Sequence, residues 1–251
     1  MQVIVTDHHE IPYETEGEEK QYILPPADAV VDPKRLDDTY PFSGICGAVV
    51  AYKLAQMLGV GENEEEALLE PAAIATICDV MELQDENRIL VKEGLKRIRQ
   101  TSHPGLRALI EVNGLKQREI SSYHIGFVIG PCLNASGRLE SAHMALKLLL
   151  EEDYTKAVKM AAELKALNDS RKDMTEQGVV LAVQEIEATL IESGGVLPKV
   201  LVVYLPSCHE SLAGIVAGRI REKYNRPAII LTKGEEGVKG SGRSVESYDM
   251  Y

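Results

Sequence analysis

From Asp153 to about residue 193 the chain contains no proline and keeps an apolar rhythm of helical period. Ala157, Met160, Ala161, Leu164 and Leu167 fall on one stripe. About forty residues of helix, at roughly 1.5 Å each, would span about 60 Å, a length that connects domains. Gly178 is a candidate bend or break, and Gly194, Gly195 and Pro198 end the stretch. This segment divides the chain into an N-terminal domain over 1–150, a helical connector over 151–193 and a second domain over 194–251.

On the N-terminal side, Val3, Ile4 and Val5 predict a short buried strand, with Asp7-His8-His9 at its C-terminal end. An acidic loop follows, carrying Glu14, Glu16, Glu18 and Glu19. Ala29, Val30 and Val31 predict a second strand, closed by Asp32 and Pro33. Residues 43–58 predict a helix whose Gly44, Gly47 and Ala48 allow close packing. Residues 62–66 suit the acidic start of another helix, and Pro71 suits the first turn of an apolar helix over 72–78. On the C-terminal side, strand 200–204, helix 212–224 and strand 228–231 follow in the order of a parallel α/β unit. The expected class is α/β: part of a parallel-sheet domain, the long connector, and a partial second α/β domain. Internal repeats and low-complexity segments are absent from the sequence.

Hydrophobic residues make up 45% of the 251, enough for a buried core. No run of about 18 apolar residues spans a membrane, and the first ten residues lack the pattern of a signal peptide. Cys46, Cys78, Cys132 and Cys208 are too far apart in sequence to form a zinc-ligand pair and too few for a disulfide scaffold. Reduced thiols in a cytoplasmic protein are the simplest expectation. A net charge of -12 argues against a broad basic surface that grips DNA by charge alone. The imbalance is uneven, because residues 193–251 hold eight Lys/Arg against six Asp/Glu. A phosphate backbone therefore finds its better place on the C-terminal segment, and bound metal ions would add positive charge.

Four groups of residues could carry chemistry. Asp7-His8-His9 sits where ligands bind in open α/β sheets, at the C-terminal end of a strand. Imidazole and carboxylate together suit manganese, magnesium or zinc. Adjacent histidines cannot both face one point on a regular strand, so one would bind metal while the other faces substrate. Asp7 could orient an imidazole, and the bland alternative is a chance polar triplet. Asp79 lies in the apolar run 72–81, where an ionised carboxylate needs a partner or a metal, unless it ends a helix and turns to solvent. The segment 131–138, PCLNASGR, predicts a loop whose backbone amides could hold an anion near Arg138, or an ordinary turn. Last come His209, the run Gly214 to Arg219, and Gly240 to Ser244. There a glycine-flanked Arg243 can clamp a phosphate, while close helix–sheet packing and a hairpin turn are the structural alternatives.

Together these segments resemble the RecJ family of single-strand-specific 5′→3′ exonucleases, in the DHH phosphoesterase superfamily. The carriers are VTDHH at 5–9, PFSGICGAVVAYKLA at 41–55, ATICDVMELQDENR at 75–88 and PCLNASGRL at 131–139. CHESLAGIVAGRIREKYNRPAIIL at 208–231 and KGSGRS at 239–244 complete the set. The resemblance covers essentially the whole chain, and it is the order and spacing of the motifs that make it specific.

The resemblance implies roles. His8 and Asp79 match metal ligands, and His9, with Asp7, matches the catalytic residues near the scissile phosphate. Asn134 and Arg138 match a segment facing the active cleft, and His209 and Arg243 match an associated domain that grips substrate phosphates. It implies two-metal hydrolysis of phosphodiester bonds of single-stranded DNA with Mn2+ or Mg2+, in repair and recombination. Single-strand-binding protein and a helicase would be the protein partners, with no membrane involved. The family's upstream Asp-x-Asp motif and further aspartate, and its C-terminal oligonucleotide-binding domain, are not in this sequence, and Ser211 stands where many relatives have glycine. An internal fragment with an incomplete metal site and little or no activity of its own is therefore expected. Two alternatives remain at this level. One is another DHH phosphodiesterase, acting on oligoribonucleotides or cyclic dinucleotides. The other is a non-catalytic nucleic-acid-binding remnant.

Overall fold

The computed structural model describes residues 1–16, 19–139, 141–234, 237–248 and 250. The chain forms two units, residues 1–131 with 152–157, and residues 132–151 with 158–251.

In the first unit β1 (Ile4–Thr6) pairs in parallel with β4 (Ala29–Val31), setting Val5 opposite Val30. The strand begins one residue later than the apolar run suggested, and it is not buried: Ile4 is 61% exposed. Among the described residues β4 is its only strand partner, and only Val5 turns partly inward. The expected acidic loop is instead a hairpin of β2 (Tyr13–Glu16) and β3 (Glu19–Tyr22). Tyr13 and Tyr22 face each other across it with ring centroids 5.8 Å apart, and Lys20 lies 4.0 Å over the Tyr13 ring. Cross-strand contacts of this kind hold the ribbon despite its carboxylates. Glu18 lies outside the described residues.

Helix α1 (Gly47–Met57) starts four residues later than expected, with extended Cys46 as its N-cap. The two helices expected around Pro71 are one, α2 (Glu62–Cys78), with the proline inside it. A mid-helix proline removes one hydrogen bond and crowds the preceding turn. Burial of Ala72, Ala73, Ile74 and Thr76 just beyond it offsets that penalty. Helix α3 (Asp85–Ile98) lies against α2 through Gly94, where a Cβ would stand 2.3 Å from that of Ala73. Ile45, Cys46, Val49, Val50, Tyr52, Ala72 and Leu90 form a core beneath α1. Helix α4 (Pro104–Val112) opens with His103 as N-cap and proline in its first turn, where the missing N–H is harmless.

Next comes an unbroken helical run of three segments: α5 (Ser122–His124), a π-helical turn (Ile125–Ile129) and α6 (Gly130–Leu139). Gly126 and Gly130 lie on the last turn of α2. A Cβ at Gly126 would meet Ile77 at 3.4 Å, and one at Gly130 would meet the Cys78 sulfur at 2.3 Å.

The second unit takes in most of α6, then α7 (His143–Leu150) and nearly all of α8 (Tyr154–Glu192), whose first residues belong to the first unit. Helix α8 runs 39 residues without interruption. The predicted stripe is real: Ala157, Ala161 and Leu164 are fully buried. Gly178 does not break it. The glycine makes room for Val216, whose Cγ2 would lie 3.0 Å from an added Cβ. Strand β5 (Leu201–Tyr204), helix α9 (Glu210–Tyr224) and strand β6 (Ala228–Gly234) make the expected parallel unit. Strand β7 (Gly237–Arg243) adds antiparallel to β6, so Ser241, Gly242 and Arg243 lie in a strand rather than a turn. Ala213, Val216, Ala217 and Ile220 of α9 pack on Leu201, Val203, Ala228 and Ile230. No helix among the described residues is long and apolar enough to cross a membrane.

Candidate metal and phosphoester site

The Asp7 backbone N–H donates to Val31 O at 3.0 Å, so the parallel pairing carries the triplet just past the end of β1. The Asp7 carboxylate then folds back on its own neighbours. Its Oδ1 accepts from the His8 N–H at 2.7 Å and the His9 N–H at 3.2 Å, and lies 2.7 Å from His9 Nδ1. The His8 amide, followed by the His9 ring, holds the Asp7 carboxyl below the usual carboxylate range. A proton on Nδ1, facing Asp7, leaves the Nε2 lone pair of His9 turned away from the carboxylate.

His8 goes the other way, to a largely covered position against the start of α1. Its Cδ2 would lie 3.1 Å from a Cβ at Gly47. Its Nε2 lies 3.6 Å from Oδ2 of Asp79. The two imidazoles therefore diverge in setting, one covered and one exposed, with ring centroids 4.4 Å apart.

Asp79 is not sunk in the apolar run. It is the C-cap of α2 and its side chain is 51% exposed. The helix-terminal, solvent-turned alternative describes its position, and the same side chain lies beside His8 of the triplet. The C-terminal end of a helix carries partial negative charge, so a carboxylate there is ill placed unless a cation joins it. The next residue, Val80, has φ of 56°, a left-handed conformation that costs a β-branched side chain about 1–3 kcal/mol. Asp7, His8 and His9 offer ligand atoms all within 4.8 Å of one another. With Asp79 beside His8, these imidazole nitrogens and carboxylate oxygens fit a Mn2+- or Mg2+-type ion.

The other four candidates belong to the second unit. Asn134 and Arg138 lie on α6, both exposed and one turn apart. The anticipated anion-holding loop is thus corrected to helix, in which backbone amides are committed to helical bonds and only the side chains are free to bind. Burial of Cys132, Ala135 and Ser136 outweighs the poor helix propensity of Asn, Ser and Gly. Arg138 reaches α9, donating to the Ser211 carbonyl at 3.1 Å. His209 is the N-cap of α9, with Nδ1 accepting from the Ser211 N–H at 3.3 Å. Arg243 lies over Gly214, where a Cβ would meet its Nη2 at 2.8 Å. Arg138, His209 and Arg243 thereby gather at the first turns of α9, the positive end of that helix. Close packing explains Gly214, and the same closeness places the guanidinium.

Arg171 was not singled out in the sequence. It is partly buried on α8, where Asn168 Oδ1 accepts from its Nε at 3.2 Å and its Nη2 at 3.0 Å. Burial, and then the nearby charge of Arg138, push its pKa below the usual guanidinium value. An arginine four residues after an apolar stripe position looks like ordinary solvated surface, so only the fold could reveal it.

The first unit thus carries a triplet of possible metal ligands with a carboxylate beside it, and the second carries basic side chains gathered on an α/β unit. No family model matches the chain. It is 39% identical, over its full length, to the single-stranded-DNA-specific exonuclease RecJ of Bacillus subtilis, covering 30% of that protein. A crystal structure of exonuclease RecJ bound to manganese superposes with a TM-score of 0.75 at 33% identity, over 99% of this chain and 58% of that one. RecJ from Thermus thermophilus in complex with Mg2+ gives 0.71 at 32% identity, over 88% of this chain and 33% of that one. The chain spans less than half the length of the curated relatives it matches. Over nearly its whole length it is a RecJ-like segment in both sequence and fold.

Proposed function

We propose that the whole protein is a metal-dependent exonuclease that degrades single-stranded DNA 5′→3′ during repair and recombination. The observation that carries this reading is the meeting of His8 with Asp79 beside the Asp7–His9 pair, in a segment that is RecJ-like from end to end. His8 and Asp79 would hold Mn2+ or Mg2+. Bound metal supplies an activated water and neutralises charge on the phosphoryl oxygens. His9 faces the scissile phosphate, with Asp7 fixing its ring through Nδ1 so that Nε2 is presented outward. Asn134, Arg138, His209 and Arg243 bind substrate phosphates, the arginines by bidentate contact. The protein acts in the cytoplasm on single strands supplied by a helicase or coated by single-strand-binding protein.

The deciding experiment incubates the whole protein with Mn2+ and single strands labelled at either end, with duplex and dinucleotide controls. Mononucleotides released first from the 5′ end of long single strands, with duplex spared, are the expected result. His9→Ala and Asp79→Ala should each lower kcat at least about a hundredfold. Preference for the dinucleotide would make it another kind of DHH phosphodiesterase. Binding without hydrolysis would make it a nucleic-acid-binding protein.

A further inference from the structure

Tyr123 and Phe127 form an exposed aromatic pair that no role described so far uses. Their rings stack, with centroids 5.0 Å apart and planes 27° from parallel. Tyr123 is 63% exposed and Phe127 is 69% exposed.

Their position is tied to the metal group. Phe127 follows Gly126, which rests on Ile77, and three residues later Gly130 rests on Cys78, the residue before Asp79. The pair therefore rides on the helical run that is docked against the end of α2. Buried Ile125 and Ile129 anchor the same turn on its inner side. That turn is π-helical, a form found mostly as single turns and frequently at functional sites. The wider turn, fixed by buried isoleucines and contacting glycines, presents two rings together on the run that rests against Ile77 and Cys78, the residues just before Asp79.

We propose that Tyr123 and Phe127 form a stacking platform for a base of the DNA strand next to the scissile phosphate. This rests on the nuclease reading above and adds a contact to it. A single strand offers unpaired bases with exposed π-faces, which duplex DNA does not. Stacking is indifferent to base identity, so a platform here would grip any sequence while favouring the unpaired state. Two rings already stacked on each other offer a rigid surface at little entropic loss. An aliphatic or charged partner would gain little from that geometry.

The experiment measures binding of fluorescent oligothymidylate, and of the same strand with abasic sites, to the whole protein in Ca2+. Wild type, Phe127→Ala, Tyr123→Ala and Phe127→Trp are compared, with circular dichroism confirming that each is folded. Phe127→Trp also adds an indole at the platform, and a stacked base should quench the emission it adds over wild type. Wild type should bind oligothymidylate roughly tenfold more tightly than the abasic strand. Phe127→Ala should lose that discrimination while binding the abasic strand as wild type does, and Phe127→Trp should keep it. If wild type binds both strands equally, or Phe127→Ala discriminates as wild type does, the platform is overturned and the nuclease reading stands. If wild type binds no single strand at all, both readings fall.

Discussion

At Gly47 an ideal Cβ would stand 3.1 Å from Cδ2 of His8, so the imidazole keeps its place because α1 begins with a residue that has no side chain. Gly47→Ala should leave thermal stability unchanged, or raise it by up to about 1 kcal/mol through helix propensity. The displaced His8 should weaken Mn2+ binding roughly tenfold by calorimetry. Loss of metal affinity in a protein no less stable separates a positioning effect from simple damage. Cys78 gives a second test. Burial, and then the Asp79 charge, push its thiol up to about 11. The thiol is the neutral form below its pKa, so at pH 8 only about one molecule in a thousand is thiolate. With chelator present, iodoacetamide labelling of Cys78 should be slow at pH 8 and rise about tenfold per pH unit to pH 10, followed by mass spectrometry. A plateau near pH 9 would contradict the burial seen here. Residue identity made Asp7, His8, His9 and Asp79 legible as candidates, because few residue types bind metal. Their arrangement was not legible, since the Asp7–His9 contact and the exposure of Asp79 depend on how β1 pairs and where α2 stops.

The elements are joined by glycines at least as much as by large side chains. Gly94 of α3 lies so close to α2 that a Cβ there would come within 2.7 Å of the Leu69 carbonyl as well as meeting Ala73. Neither backbone can yield without moving a helix. Gly94→Ala should cost about 2 kcal/mol or more in urea unfolding, although alanine is the better helix former. A neutral or stabilising result would mean that α2 and α3 sit further apart than described. The long helix α8 was plain in the sequence, as was the order β5, α9, β6, because period and punctuation agreed over many residues. Shorter signals misled. Pro71 suggested a break that burial on its far side overrides. Glu14, Glu16 and Glu19 suggested a loop where a tyrosine pair holds a hairpin. PCLNASGR suggested a loop because local propensity ignores the burial of Cys132, Ala135 and Ser136.

For the whole molecule, the proposed metal site predicts linkage between ion binding and folding. An ion that binds only the folded state, at a hundred times its Kd, adds about 2.7 kcal/mol. Mn2+ should therefore raise the Tm of the whole protein by several degrees. Asp79→Ala should remove most of that rise, whereas Arg243→Ala, at the basic group on the second unit, should keep it. An equal loss in both variants would show that the ion is held elsewhere. The uneven charge noticed in the sequence has a counterpart at this scale. The carboxylates and imidazoles proposed to bind metal lie in the first unit, and Arg138 and Arg243 cluster around α9 in the second.

Because Asn134 and Arg138 lie on a helix rather than a loop, their relation is one of register. A loop absorbs an extra residue, but a helix converts it into rotation. One residue inserted between them would swing the Arg138 guanidinium about 100° around the axis of α6 and away from Ser211. A protein built this way should tolerate a change of residue at exposed Gly137 far more readily than any change in the number of residues along 130–139.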